Sequence, residues 1–274
     1  MGPAAAHACV RLRGDDRPAA RLAVYAAVVV IDGRDVLAAG EFQAYDTSHV
    51  TVLVLFAVGL VPIVLLGRRV RGTAGEATTS RVLAVGIVAV TVPLQVLQLL
   101  PAEWNPRTSL PFQLCDLAWM FAVHALWTRS RLTSTVTYLW GLTLTTQGMA
   151  TPDLASAWPE PRFVMFWAMH LLIVWAAVYL VVGLGVLPTW STYRRTVVIT
   201  LVWAASVMVY NTLADTNYGY LNGKPSRASL LDVLPAWPWY VAVEIAVVAA
   251  VWALLVWPWT RARTGTRAGA ARPA

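Results

Sequence analysis

Charge is scarce in this 274-residue chain: 13% of its residues are Asp, Glu, Lys or Arg and 58% are hydrophobic, whereas soluble domains carry about 25% charge. That balance excludes a soluble globular protein and leaves little chain for a separate aqueous domain. Cysteine is scarcer still, with Cys9 and Cys115 alone, and two residues so far apart do not argue for a disulfide framework. The four histidines, at 7, 49, 124 and 170, form no i, i+4 pair and no Cys-x-x-Cys accompanies them. No metal site is therefore expected. A Gly-rich phosphate loop is missing too, and no cofactor is expected. Neither an internal repeat nor a pair of broken helices is evident, which weighs against a transporter.

What is present is seven apolar runs, at about 49–67, 82–100, 110–127, 134–151, 163–187, 196–214 and 238–259. Each is close to the ~18–25 residues that cross a bilayer as a helix. The sequence predicts an all-α, polytopic membrane bundle of seven transmembrane helices. Its formal charge of +7 does not point to nucleic acid, because the basic residues sit in the short connectors between apolar runs. Twelve arginines follow runs one, three, five and seven (Arg68, Arg69, Arg71, Arg81, Arg129, Arg131, Arg194, Arg195, Arg261, Arg263, Arg267 and Arg272). The alternate connectors hold four basic residues, Arg107, Arg162, Lys224 and Arg227. The positive-inside rule then puts the N-terminus outside and the C-terminus in the cytoplasm. Residues 1–40 carry five more arginines and a run at 22–31 too short to span, and read as a disordered N-terminal extension. A signal peptide ending near Ala38-Ala39-Gly40 is the competing reading. The transmembrane domain is expected over 41–260, followed by a basic cytoplasmic tail over 261–274.

Ionisable or nucleophilic side chains inside a span are costly, so several at one depth suggest a site. Counting about 1.5 Å per residue from the expected outer helix ends, Cys115, His170 and Glu244 each fall about 8–10 Å inside. Gln147 and Asn211 occupy the last outer turns of their runs, while Asp116 adjoins Cys115 and Asp153 follows run four. His49, after the capping residues Asp46, Thr47 and Ser48, is expected at the outer water boundary. His124 lies near the other end of its run and is left out of the site. A thiol beside an imidazole is a way to make a nucleophile, the imidazole taking the proton and a third group such as Glu244 or Asn211 holding the ring; Asn211 also has the chemistry of an oxyanion donor. The bland alternatives are a cysteine packed as a small hydrophobe and a histidine paired structurally with Glu or Asn. The connector 215–237, rich in turn formers yet also in Tyr and Leu, is expected to fold back over the bundle end.

Four blocks carry a resemblance: LPFQLCDLAWM at 110–120, LWGLTLTTQGMATPDL at 139–154, FWAMHLLIVWAAVYLVVGLG at 166–185 and TNYGYLNGKPSRASLLDVLPAWPWY at 216–240. Over about 41–259 the chain resembles the YwaF-like bacterial integral membrane proteins, relatives of a eukaryotic transmembrane acyltransferase family that remodels ether phospholipids. The resemblance implies a catalytic cysteine and histidine in the third and fifth helices, which here are Cys115 and His170. One position departs: Gln113 stands where many bacterial members carry a histidine two residues before the cysteine. The supporting or substrate-binding candidates are Gln147, Asn211, Asn217, Tyr218, Lys224 and Glu244.

The expected function is transfer or hydrolysis of a lipid acyl group in the outer half of a bacterial plasma membrane, with membrane lipids as partners and no nucleic acid. The alternatives are a non-enzymatic lipid or small-solute binding protein or carrier, and a structural subunit whose polar layer locks helix packing.

Overall fold

The computed structural model describes residues 42–270, with side chains to Arg261, and all regular structure among them is helical. The expected extension 1–40, Cys9 included, lies outside the described residues, as does 271–274. The helices are α1 (Thr47–Val70), α2 (Gly75–Leu99), α3 (Leu114–Thr128), α4, α5, α6 (Trp190–Ala214) and α7 (Trp239–Ala270). Helix α4 comprises Arg131–Trp140, a π-helical stretch Gly141–Thr145 and Thr146–Ala150, while α5 comprises Pro161–Val178 and a π-helical stretch Tyr179–Gly183. Helices α1, α2, α5, α6 and α7 are long and apolar enough to cross a membrane, and α3 is a shorter apolar helix.

Capping chemistry fixes where several helices begin. Asp46 accepts the His49 backbone N–H at 2.8 Å and caps α1, and Thr189 caps α6 by accepting the Thr192 N–H at 3.2 Å, each satisfying a donor that has no intrahelical partner. Helix α3 starts at Leu114, four residues later than the apolar run suggested. Pro111 interrupts the run, and the Asp116 carboxylate turns back to accept the Gln113 N–H at 3.1 Å. Cys115 is thus in the first turn of its helix, not about 8 Å down it. At the other end of the chain, α7 continues to Ala270, past the end expected near 259 and through most of the segment read as a tail.

The bundle is organised around α5. In its most apolar window 61% of residues are buried, against 6% for α1, so α5 is the central post and α1 an outer helix. Val54, Leu55, Val58, Val61 and Leu65 on α1, and Val198, Val202, Val209 and Leu213 on α6, present bare apolar side chains outward. A surface of that kind is stable against lipid tails and not against water. The chain is a multi-pass membrane protein. Close approach of helices is achieved with small residues: a Cβ on Gly67 of α1 would lie 2.7 Å from the Gly183 Cα at the end of α5.

One end of the bundle has short connectors and carries Arg68, Arg69, Arg71, Arg129 and Arg131. The opposite end carries the long connectors, and side chains bolt them together. His49, fully buried, accepts the Tyr45 N–H at Nδ1 (2.8 Å) and so carries its proton on Nε2, which donates to Met149 O (2.9 Å). This corrects the expectation that His49 sits at a water boundary: Phe42 and Trp167 cover it, and it ties α1 to the end of α4. Arg107 with Asp215 (2.6 Å) and Arg162 with Glu103 (2.8 Å) form exposed ion pairs across the same end.

Candidate functional site

The long-connector end encloses a cavity of about 610 Å³ lined by every helix except α1. Its mouth is polar, with Gln95, Gln98, Asp153, Arg162, Tyr220 and Arg227. Its far end is apolar, with Leu144, Val197, Val248 and Trp252. From Val241 to Trp252, the stretch of α7 that lines the cavity, the helix descends about 17 Å, close to the ~15 Å half-thickness of a hydrocarbon core. The space is therefore amphipathic and as deep as one leaflet.

Cys115, Gln147, His170 and Glu244 all line this cavity, together with Asp116. Cys115 reaches it, despite standing in the first turn of α3, because chain lies above that turn. Ser109 is buried, Phe112 packs edge-on against Tyr210 and Tyr218, and Trp203 Nε1 donates to Phe112 O at 3.2 Å. The expected depth arithmetic thus rested on the wrong helix start, while the connector fold-back brings the thiol to the same cavity as His170.

His170 is 3% exposed, and its Nδ1 lies 2.7 Å from Phe166 O. A carbonyl only accepts, so Nδ1 carries the proton and Nε2 keeps its lone pair. The Phe166 ring, 4.0 Å away between centroids, holds the imidazole plane. Nε2 faces α4 at Gly148, where an added Cβ would sit 3.6 Å from it. The imidazole is thereby oriented by a backbone carbonyl and an aromatic ring; neither Glu244 nor Asn211 holds it. Among the described residues no hydrogen bond joins His170 to Cys115, and none engages the side chains of Gln147 or Glu244.

The remaining four candidates do not line the cavity; they build its cover. Asn211 uses all its hydrogen-bonding capacity there: Nδ2 donates to Tyr218 O and Asn222 Oδ1, and Oδ1 accepts from Thr216 Oγ1 and Tyr218 N, at 2.8–3.1 Å. Asn217 donates to Gly223 O and accepts from Asn222 N. Tyr218, fully buried, donates its hydroxyl to Pro106 O and accepts the Leu110 N–H, and burial raises its phenol pKa. Lys224 donates to Leu234 O and lies over the Tyr240 ring. Gly219 is required within this cover: its φ is +67°, and a Cβ would come within 2.7 Å of the Trp203 ring. Its N–H donates to Gln113 Oε1 at 2.9 Å, so Gln113 joins the cover to the start of α3.

Sequence reasoning missed Tyr220 as a wall of the cavity. Its hydroxyl donates to Asp153 Oδ2 at 2.8 Å, with Arg227 3.7 Å from the same carboxylate. Burial, then the bond to Asp153, hold its phenol pKa far above the usual range. The repeated Tyr of the 216–240 block was the available signal, but an interfacial aromatic reads identically.

A family model covers the helices, the cavity and its cover together, matching residues 44–256. The chain belongs to the TMEM164 family. No curated protein and no solved structure matches it. The TMEM164 match spans all seven helices through the cavity-lining part of α7, and includes Cys115, His170 and the whole 216–234 cover.

Proposed function

We propose that this protein is a seven-span enzyme of the bacterial plasma membrane, with its N-terminus outside and C-terminus in the cytoplasm, that transfers or hydrolyses a lipid acyl group through Cys115 and His170. The observation that carries the reading is a single amphipathic, leaflet-deep cavity lined by both a thiol and an imidazole whose Nε2 lone pair is set free by the Nδ1 bond to Phe166 O. The apolar far end suits an acyl chain, and the polar mouth suits a glycerol backbone and headgroup.

In this mechanism His170 Nε2 takes the Cys115 Sγ proton and the thiolate attacks the ester carbonyl carbon. The C=O π pair moves onto oxygen, then returns as the C–O bond breaks, leaving a thioester on Cys115. The departing alkoxide takes the proton held at Nε2. An acceptor hydroxyl or water then gives its proton to Nε2, attacks the thioester and releases the thiolate, which recovers that proton. Thiol and imidazole close the remaining gap on substrate binding, as loosely set catalytic pairs do. Asn211, Asn217, Tyr218 and Lys224 act by holding the cover; Gln147 and Glu244 face the lipid.

Intact mass of the purified protein after incubation with diacyl lipids tests the reading. An acyl adduct is expected on the wild type and absent in Cys115→Ala, and His170→Ala slows its formation by about 100-fold or more. Lipid binding without an adduct in the folded wild type supports the second reading, a non-enzymatic lipid binding protein or carrier, which the amphipathic cavity alone already favours.

A further inference from the structure

Charge is distributed unevenly along the cavity. Its mouth is lined by two guanidiniums, Arg162 and Arg227, and one carboxylate, Asp153, whereas the charged side chains lining it further in, Asp116 and Glu244, are both acids. An anion is therefore drawn to the mouth and meets no cation among the lining residues below it. A lipid with a negative headgroup suits this field in one direction, headgroup at the mouth and acyl chain toward Leu144, Val197 and Val248.

Arg227 is the guanidinium whose surroundings permit an exchange of partners. It stands in the cover, and its Nε lies 3.7 Å from Oδ1 of Asp153, which belongs to the connector between α4 and α5. That separation is a Coulombic contact, longer than the about 2.7–2.9 Å of a charge-assisted hydrogen bond. Asp153 has a closer partner on its other oxygen, where Tyr220 donates its hydroxyl at 2.8 Å. The carboxylate thus keeps a hydrogen bond when Arg227 turns to another anion. Both side chains of the pair are accessible, at 35% and 33% of their surface, and both line the cavity. Arg162, held by a 2.8 Å hydrogen bond to Glu103, adds to the positive field beside them.

We propose that Arg227 reads the headgroup of a lipid bound in this cavity, exchanging the Asp153 carboxylate for the phosphate of a glycerophospholipid. This role requires the lipid occupancy of the proposed function and not its acyl transfer. A phosphodiester offers two unesterified oxygens to the guanidinium fork, as a carboxylate does, so the incoming group reproduces the geometry of the one it displaces. Asp153 is then a built-in competitor. A neutral lipid leaves the ion pair intact, whereas a phosphate replaces it.

Displacement of a fluorescent diacylglycerol from the purified full-length Cys115→Ala protein tests this role. Leu144→Trp, which fills the apolar end, should abolish binding of the probe and so locate it in the cavity. Phosphatidylglycerol is expected to displace the probe at lower concentration than unlabelled diacylglycerol with the same acyl chains. Arg227→Gln should weaken phosphatidylglycerol by about 10–100-fold and leave diacylglycerol unchanged. Asp153→Asn keeps an acceptor for Tyr220 but removes the competing charge, so it should strengthen phosphatidylglycerol by about 2–5-fold, again with diacylglycerol unchanged. A merely structural ion pair would not give the two variants opposite signs. Equal affinity of the two lipids in the wild type, or weakening of both lipids by both variants, would overturn the role of Arg227 while leaving a lipid in the cavity. Glycerol phosphate, which brings no acyl chain, should fail to displace the probe; displacement as effective as the phospholipid's would assign the mouth to a soluble phosphate and overturn the lipid headgroup. A probe that does not bind the wild type, or binds Leu144→Trp equally, would remove the lipid occupancy and the role of Arg227 with it.

Discussion

Asn211 holds two buried backbone groups of Tyr218 at once, which makes it the residue most exposed to substitution without touching the cavity. Asn211→Ala leaves both unpaired, at about 1–3 kcal/mol for each buried group left unsatisfied. A lower unfolding temperature in detergent is expected, whereas Cys115→Ala should melt with the wild type; equal melting of the Asn211 variant would show that the cover is held elsewhere. Asp46 offers a pH test. The His49 N–H, first, and then the Ser48 groups lower its pKa from 3.8, opposed by slight burial. A carboxyl whose pKa is lower folded than unfolded stabilises the fold above its unfolded pKa, and that stabilisation is lost as pH falls through the folded value. Asp46→Ala should therefore cost about 1 kcal/mol at neutral pH, and the difference from wild type should shrink on acidification below pH 3.8. A constant difference down to pH 2–3, followed by thermal unfolding, would contradict this account of the cap.

At the level of the element, α1 meets the end of α5 with no side chain between backbones at Gly67 and Gly183. A Cβ at Gly183 would lie 2.9 Å from the Gly67 Cα, and backbone cannot step aside as a flexible side chain can. Gly183→Val should lower stability by about 1–3 kcal/mol or more through overpacking, measured by thermal unfolding; a wild-type melting curve would show that α1 slides freely. Helix existence was legible in the residues, because seven apolar runs with arginines concentrated in every second connector admit few other readings. The start of α3 was not, since Pro111 and the turn-back of Asp116 onto Gln113 look from sequence like more of the same apolar run. The burial of His49 was equally hidden: its partner Met149 lies 100 residues away. That Cys115, His170, Gln147 and Glu244 line one cavity was legible because polar, ionisable or nucleophilic side chains stand out in an apolar run.

For the whole molecule, on the proposed lipid reading, the side on which the cavity mouth opens decides which leaflet's lipids reach it. The arginine distribution predicts that a label in the 70–75 turn is cytoplasmic and one in the 216–234 cover is external. Cysteine labelling with a membrane-impermeant maleimide in intact cells, done in a Cys9→Ala, Cys115→Ala background, checks both; labelling of the cover only after permeabilisation would reverse the orientation and assign the cavity to the inner leaflet. The cover itself is held by a repeated device. Asn211 bonds the carbonyl of Tyr218, Asn217 that of Gly223, Lys224 that of Leu234, Trp237 that of Leu221, and Tyr240 that of Tyr220. Every acceptor is a backbone carbonyl, which is present whatever the side chain. Pro225, which faces the cavity between these anchors, takes no part in the five bonds and can change without undoing them. On the proposed lipid reading, this attachment lets one lid geometry persist while the side chains that would meet a headgroup change.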